Sequence, residues 1–303
     1  MDFKFSIIIP HYNIPDLLER CLKSIPQRDD IQVIVVDDCS NETSVSVLKD
    51  KLEKEYPSVQ FIYQNENGGG GRCRNEALKY AKGKWLVFAD ADDFFSENCS
   101  FLFDKYLDSE ADIVYFCVDN VNSRDTSEKA EKRLYHNIHI KKYFETGDEG
   151  LLRYLFTEPW SKMIRAEMVF SNDIRFSETK VCNDYFFSAI TGFHAKKIVA
   201  DEMIMYVVTQ RIGSVSSSTE SVPKILDRIN VMMSIILYIQ KEGLELPYEY
   251  QVEKIDKRMI SLLKLNPIIC IKQFWIIKKS GLSIFPIIKR MMLTFWNNRI
   301  GRK

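Results

Sequence analysis

Three carboxylates, Asp90, Asp92 and Asp93, fall within the segment FADADDF, residues 88–94. The apolar run before them, Trp85 to Ala89, reads as a buried strand that empties into acid. Hard oxygen ligands at that spacing suit Mg²⁺ or Mn²⁺, and such an ion can clamp a diphosphate. A solvated acidic turn has the same composition, so placement at a strand end carries the argument. Asp37 and Asp38 close a second apolar run, Ile31 to Val36. A carboxylate there can accept hydrogen bonds from a base N–H or ribose hydroxyls; Asp38 or Ser40 can equally cap the next helix. The third feature is NENGGGGRCRN, residues 65–75. Gly68 to Gly71 permit close backbone approach and positive φ, and Arg72 and Arg74 can face phosphate. The run lacks the Lys-Ser/Thr of a Walker loop and does not occupy the first strand–helix turn, so a dinucleotide fingerprint is not supported.

These groups need elements that bring them to one edge. Residues 3–9 form a short apolar run ended by Pro10, a buried strand. Leu17, Leu18, Cys21, Leu22 and Ile25 recur at helical spacing. Strands follow at Ile31–Val36, 59–63 and 85–89, separated by helices over 43–56, capped near Asn41 or Thr43, and from the glycine run through Ala81. This alternation predicts a parallel α/β sheet covered on both faces, whose ligands bind beyond the carboxyl ends of the strands. Tyr12 and Asn13, Asp37 and Asp38, Asn65 and Asn67, and Asp90 to Asp93 all sit there. Beyond residue 100, the pattern predicts a strand over 113–118, a polar loop or hairpin over 119–137, and helices over 149–156, 160–170 and 183–194. Two short strands are expected within 196–211, then helices at 225–241 and 250–265 and around Pro267 and Pro286.

The chain has 303 residues, with 42 Lys+Arg against 42 Asp+Glu. The zero hides an asymmetry. Residues 1–250 hold 30 basic and 40 acidic side chains, whereas residues 251–303 hold 12 basic and only Glu253 and Asp256. The aromatic content of 12% and hydrophobic content of 46% support a packed core and exclude disorder. Seven cysteines, an odd number without a CxxC pair, argue against a disulfide framework or zinc site and fit a reducing cytosol. The run Phe5 to Pro10 is too short for a signal peptide, and no uncharged apolar stretch is long enough to span a membrane. Of the histidines, His11 is expected to pack, His136 and His139 lie in the polar region, and His194 ends a helix; none is assigned to metal.

In the basic segment, apolar pairs alternate with charge: Ile276-Ile277 before Lys278-Lys279, and Ile287-Ile288 before Lys289-Arg290. Trp275, Phe285, Phe295 and Trp296 add interfacial aromatics. This pattern fits amphipathic helices on an anionic membrane surface, or equally helices packed as core with solvated basic faces. Nucleic-acid binding is not expected, because no recognition motif accompanies the charge.

SIIIPHYN (6–13), VIVVDDCS (33–40), NGGGGRCRNEAL (67–78) and FADADDF (88–94) together resemble the family 2 inverting glycosyltransferases, which have a GT-A fold. The resemblance covers roughly residues 3–220. It implies that Pro10, Tyr12 and Asn13 lie by the nucleotide of a nucleotide-sugar donor, and that Asp38 or Asp37 holds the base. Asn67 and Gly68 would join the donor site, with Arg74 and Asn75 as the Arg-Asn pair closing the glycine segment. Asp90, Ala91 and Asp92 would form the DxD segment against ribose and metal–diphosphate, with Asp92 as the ligand to Mn²⁺ or Mg²⁺. PWSK (159–162) resembles the Trp-x-Lys segment on the acceptor side, which marks Trp160 and Lys162. CNDYFF (182–187) stands where the family has Glu-Asp-x-x-Phe, so Asp184 maps onto the general base and Asn183 replaces the Glu. Helix N-capping is the structural alternative for Asp184. QRIGSVS (210–216) resembles an Arg-x-x-x-Ser segment that folds over the donor, which marks Arg211; a His that some relatives carry there is missing.

The expectation is therefore a GT-A domain over 1–220, with a nucleotide-sugar half (1–118) and an acceptor half (119–220), and a C-terminal helical basic region over 221–303. The resemblance implies metal-assisted, inverting transfer from a nucleotide sugar, with UDP the expected nucleotide, to a hydroxyl of a glycan or lipid-linked acceptor in surface polysaccharide synthesis. Its place would be the cytoplasm, with the basic region at the inner face of the membrane. The competing readings are a non-catalytic nucleotide- or glycan-binding module at the membrane, and a nucleotidyltransferase. The latter would carry its Gly-rich loop directly after the first strand, where this chain has PHYN. Oligomeric state is not legible.

Overall fold

The computed structural model describes residues 2–130, 134–210, 220–251 and 254–300, with the side chains of 295–300 outside the description. The chain divides into two compact units: residues 1–179 with 183–217, and residues 180–182 with 218–303. The first unit opens with β1 (Phe5–His11), α1 (Pro15–Ser24), β2 (Ile31–Asp37) and α2 (Glu42–Val47). A π-helical turn, Leu48–Leu52, carries α2 into α3 (Glu53–Glu55). Then come β3 (Val59–Tyr63), α4 (Gly70–Leu78), β4 (Trp85–Phe88), β5 (Phe94–Phe95), α5 (Cys99–Tyr106) and β6 (Ile113–Asn122). The unit continues through α6 (Tyr135–Thr146), α7 (Gly150–Leu155), β7 (Lys162–Arg165), α8 (Ala166–Ser171), α9 (Tyr185–His194) and β8 (Ile198–Gln210).

The strands form one sheet in the order β3-β2-β1-β4-β7-β6-β8-β5. The first four are parallel, as the sequence alternation requires. Beyond β4 the sheet is mixed: β7 is antiparallel to both neighbours, β6 and β8 run parallel, and β5 is antiparallel to β8. The apolar runs of β1 and β4 are buried on both faces, which is why they lack polar alternation. Ser6 interrupts the first run for a reason. Its hydroxyl donates to Gln32 and accepts from the backbone N–H of Lys82 and Gly83. Gly83 lies so close to β1 that a Cβ there would sit 2.4 Å from the carbonyl carbon of Phe5.

Four local expectations change. Residues 160–170 are not one helix: Lys162–Arg165 is strand β7, and only Ala166–Ser171 is helical. The short run sits between two sheet neighbours, β4 and β6, so tertiary pairing decides its conformation. Residues 198–210 make one long strand rather than two, because β6 offers a continuous partner with register shifts near Cys117. The helix expected from the glycine run through Ala81, α4, ends at Leu78. The helix expected from Tyr250 starts at Ile255. Asn41 is the cap of α2, its side chain accepting from Ser44 N–H at 2.9 Å.

The second unit contains α10 (Val222–Lys241), α11 (Ile255–Leu265), α12 (Pro267–Lys279) and α13 (Ile284–Ile300). Buried residues recur along α10 and α11 at three- and four-residue spacing: Ile225, Ile229, Met232 and Met233 on the first, Ile255, Met259 and Leu262 on the second. Gln273 of α12 donates to Asn230 of α10 at 3.2 Å. No helix among the described residues is long and apolar enough to cross a membrane.

Candidate active site

The site is built at the carboxyl ends of β1, β2 and β4, where parallel strands present loop residues side by side. Pro10 lies next to last in β1, and its ring faces Gly70. Asp37, the last residue of β2, is buried. Its Oδ1 accepts from His11 Nδ1 at 2.8 Å and from the Ser40 hydroxyl, and its Oδ2 accepts from Ser40 N–H at 2.9 Å. Burial pushes the Asp37 carboxyl up, but the bonds from His11 and Ser40 outweigh it and hold the group below its ordinary range. His11 Nε2 accepts from Ile14 N–H at 3.2 Å, which leaves the proton on Nδ1 facing Asp37. Both nitrogens of His11 and both oxygens of Asp37 are thus committed to shaping the loops after β1 and β2.

Asp38 is committed as well. Its two oxygens accept from the backbone N–H groups of Gly68 and Gly69, each at 2.8 Å, and its carbonyl accepts from Asn67 Nδ2 at 3.1 Å. One carboxylate therefore fixes the mouth of the glycine run. Neither Asp38 nor Ser40 caps α2. Asn13 is held with φ 56° by giving its N–H to Ser40 Oγ and accepting from Asn41 N–H. Cys39, with φ 61°, is exposed between the two loops. Non-glycine residues at positive φ are costly, and Asn13, Cys39, Ser161 and Cys182 all fall in motifs read as functional. Tyr12 is half exposed at the rim.

Arg74 is buried in α4 and joins three segments. Its Nη2 meets Asp90 Oδ1 at 2.5 Å, its Nη1 donates to Asn183 Oδ1 at 3.1 Å, and its guanidinium lies over the Phe176 ring. Gly70 and Gly71 make room for this. A Cβ on Gly70 would meet Arg74 Nη1 at 3.2 Å, and one on Gly71 would meet the carbonyl oxygen of Ser177 at 2.2 Å. Asn75 pairs its amide with both backbone groups of Phe176, so it clamps the 176–178 segment onto α4.

At the end of β4, Asp90 N–H donates to Tyr206 Oη at 2.8 Å, and Ala91 is buried. The backbone carbonyl of Asp92 accepts from Arg20 and from Thr209 Oγ1, and Asp93 Oδ1 accepts from Thr209 N–H at 2.7 Å. Burial, then the charges of Asp92 and Asp90, push the Asp93 carboxyl well up. Among the described residues no three His, Cys, Asp or Glu side chains form a complete metal-binding group. The donor set nevertheless suits Mg²⁺ or Mn²⁺. Such an ion is commonly held by one or two carboxylates with substrate phosphates and water completing the shell, and it relieves crowding of like charges.

Asp184 immediately precedes α9, with its backbone carbonyl accepting from Ser188 N–H. It holds the N-cap position of that helix, as the alternative expected, but its side chain makes no capping bond. Burial, then the charge of Glu158, push its carboxyl up to about 7 against the pull of Arg74. Trp160 and Lys162 lie beneath rather than on an open surface. Trp160 stacks on Tyr206 at 5.4 Å. Lys162 Nζ donates to the Phe156 carbonyl at 2.6 Å and lies over the Phe156 ring, and burial pulls it down to about 7. Arg211 and the rest of its motif after Gln210 lie outside the described residues.

Sequence reading missed several supporting groups. Glu158 accepts from His136 Nε2 at 2.7 Å, and His136 also packs on Trp160. Glu158 adjoins the PWSK motif and was findable by position, whereas His136 carries no sequence signal. Arg20, Tyr206 and Thr209 come from α1 and β8 and meet the acidic turn only in three dimensions.

Residues 6–169, more than half of the chain, match the family Glycosyl transferase family 2. The chain is 29% identical over 259 residues to the poly(ribitol-phosphate) beta-N-acetylglucosaminyltransferase TarS of Staphylococcus aureus, covering 82% of this chain and 43% of that protein. It is 29% identical over 250 residues to a poly(ribitol-phosphate) beta-glucosyltransferase of Bacillus spizizenii, covering 80% and 38%. The chain thus spans less than half the length of these relatives. Among solved structures, S. aureus TarS 1-349 in complex with UDP-GlcNAc superposes with a TM-score of 0.63 at 23% identity, covering 86% of this chain and 73% of that one. A mannosyltransferase of Pyrobaculum calidifontis in complex with GDP-Man and Mn²⁺ matches with a TM-score of 0.53 at 15% identity, covering 95% and 83%.

Proposed function

The chain belongs to glycosyl transferase family 2 and has the GT-A fold, and from that premise we propose that it transfers a sugar from a UDP-sugar to a hydroxyl of a surface glycan. The donor lies across the half formed by residues 1–118, and the acceptor approaches over residues 119–220. The relatives named for poly(ribitol-phosphate) make a polyol-phosphate or lipid-linked glycan the favoured acceptor class, and a β-linked hexose or N-acetylhexosamine the favoured product. A β product from an α-linked UDP-sugar requires inversion, hence a single in-line displacement.

The observation that carries this reading is the link through Arg74. One guanidinium bonds both Asp90, on the DxD turn, and Asn183, the neighbour of Asp184. The donor-side acid and the residue preceding the candidate base are thereby held by one rigid planar group. Asp184, with its carboxyl at about 7, is suited to accept the acceptor's hydroxyl proton near neutral pH. Asp92, with Asp90 beside it, would hold Mn²⁺ or Mg²⁺, whose charge would neutralise the departing diphosphate. The glycine run, fixed at its mouth by Asp38, lines the donor side, and Tyr12 offers a ring at the rim for the nucleotide base. Asn183 keeps the acceptor atom that Arg74 needs without adding charge to a site already crowded with carboxylates.

The test is a transfer assay with a panel of UDP-sugars, Mn²⁺ and polyol-phosphate or lipid-linked acceptors, run beside UDP binding by thermal shift. Stabilisation by UDP together with turnover supports the reading. Tight UDP binding without transfer or hydrolysis of any donor would favour a binding module instead.

A further inference from the structure

The helices α12 and α13 are apolar on two opposite sides. On α12, Cys270, Gln273 and Ile277 are buried, and on α13, Ile287 and Met291 are buried. That face packs within the protein. The opposite face should then be polar, since a helix apolar all round belongs inside a core. It is not. Ile268, Ile271 and Trp275 recur at i, i+3 and i+7 on α12, and each is more than half exposed. Phe285, Ile288 and Met292 repeat the same spacing on α13, with exposures from 38% to 72%. Lys272 and Lys279 continue the α12 face, Lys289 continues the α13 face, and the Lys279 ammonium lies 3.6 Å from the Trp275 ring centroid. Residues 257–303 contain 11 Lys and Arg and no Asp or Glu.

We propose that these outward faces of α12 and α13 dock on an anionic membrane surface, with the apolar residues entering the headgroup boundary and the lysines meeting lipid phosphate. The cover must be apolar and negatively charged at once. A lipid interface carrying anionic headgroups is both. A second copy of this chain is disfavoured, since a two-fold contact would bring two equally basic faces together, and protein interfaces are depleted in Lys. The proposal deepens the reading of a glycan or lipid-linked acceptor by placing the enzyme where such acceptors reside, but its test needs no sugar transfer.

The full chain is sedimented with phosphatidylcholine vesicles made with and without phosphatidylglycerol, at low and high salt. Binding should require the anionic lipid and weaken with salt. Lys272→Gln, Lys279→Gln and Lys289→Gln together should lower partitioning by about a hundredfold, roughly fivefold per charge. Ile271→Ser with Phe285→Ser should lower it by about tenfold or more. In both variants, circular dichroism and UDP binding should stay as in the parent, which separates loss of docking from loss of fold. Equal binding to both vesicle types, or partitioning untouched by either variant, would overturn the proposal. So would a concentration-dependent dimer that Phe285→Ser dissolves. A variant that leaves vesicles yet still transfers sugar to a soluble acceptor keeps the function and the surface separable.

Discussion

Arg74 and Asn183 lie 109 residues apart in sequence and share a hydrogen bond of 3.1 Å, while the other arm of the same guanidinium holds Asp90. The strand end and the start of α9 are thus coupled through one buried side chain. Its geometry depends on two arms at a fixed angle, which an ammonium cannot reproduce.

Arg74→Lys should therefore keep the fold but release one of the two partners. Transfer should fall by at least about tenfold through misplaced groups. Arg74→Ala should also destabilise the protein by about 1–3 kcal/mol, less than for a fully buried pair because Asp90 keeps some contact with water. Urea denaturation and kcat/KM for both variants check this; an unchanged kcat/KM in Arg74→Lys would show the link to be incidental.

Asp184→Asn should bind UDP like the parent and lose turnover by about 10²–10⁴-fold, the usual contribution of a positioned base. In the parent, activity should rise with pH through about 7, where the Asp184 carboxyl loses its proton. A variant transferring sugar at near-parent rate would remove Asp184 from the mechanism.

The same carboxyl sets a pH dependence of stability. It is raised to about 7 from an ordinary 3.8, so between these values the folded state binds more protons than the unfolded state. Its contribution is therefore destabilising as pH rises through that interval. Asp184→Asn should match the parent near the lower end of the interval and exceed it by about 1–4 kcal/mol above the upper end. Glu158 acts oppositely: burial raises it, but His136 brings it down to about 2, so its stabilisation is complete above 4.5 and is lost as pH falls toward 2. Denaturation midpoints of parent and Asp184→Asn across this range give the comparison, and parallel curves would contradict it.

Gly71→Ala should be far more harmful than a helical alanine normally is. The added methyl would meet the Ser177 carbonyl at 2.2 Å, and that backbone is itself clamped by Asn75 through Phe176. The start of α4 must shift, and Arg74 with it. A loss of about 1–3 kcal/mol is expected from the overpacking, with transfer impaired further. A melting temperature and kcat/KM equal to the parent's would show that the segment yields without consequence.

The sheet half was legible because its signals are local. Buried parallel strands read as apolar runs, and the acids, asparagines and glycines that follow each run mark strand ends regardless of what packs around them. FADADDF, VIVVDDCS and the glycine run therefore specify both the α/β class and the edge where the site forms. What each acid does there was not local. Asp37 answers to its neighbour Ser40 but also to His11, and Asp38 answers to Gly68 and Gly69, donors that belong to loops 26 to 31 residues away. The strand at Lys162–Arg165 exists because β4 and β6 flank it, and the length of β8 follows from β6. The basic end of the chain divides in the same way. Its charge and its alternating apolar pairs are properties of the sequence, but which apolar residues turn inward and which stay in water depends on how α12 and α13 pack, and the sequence leaves that open.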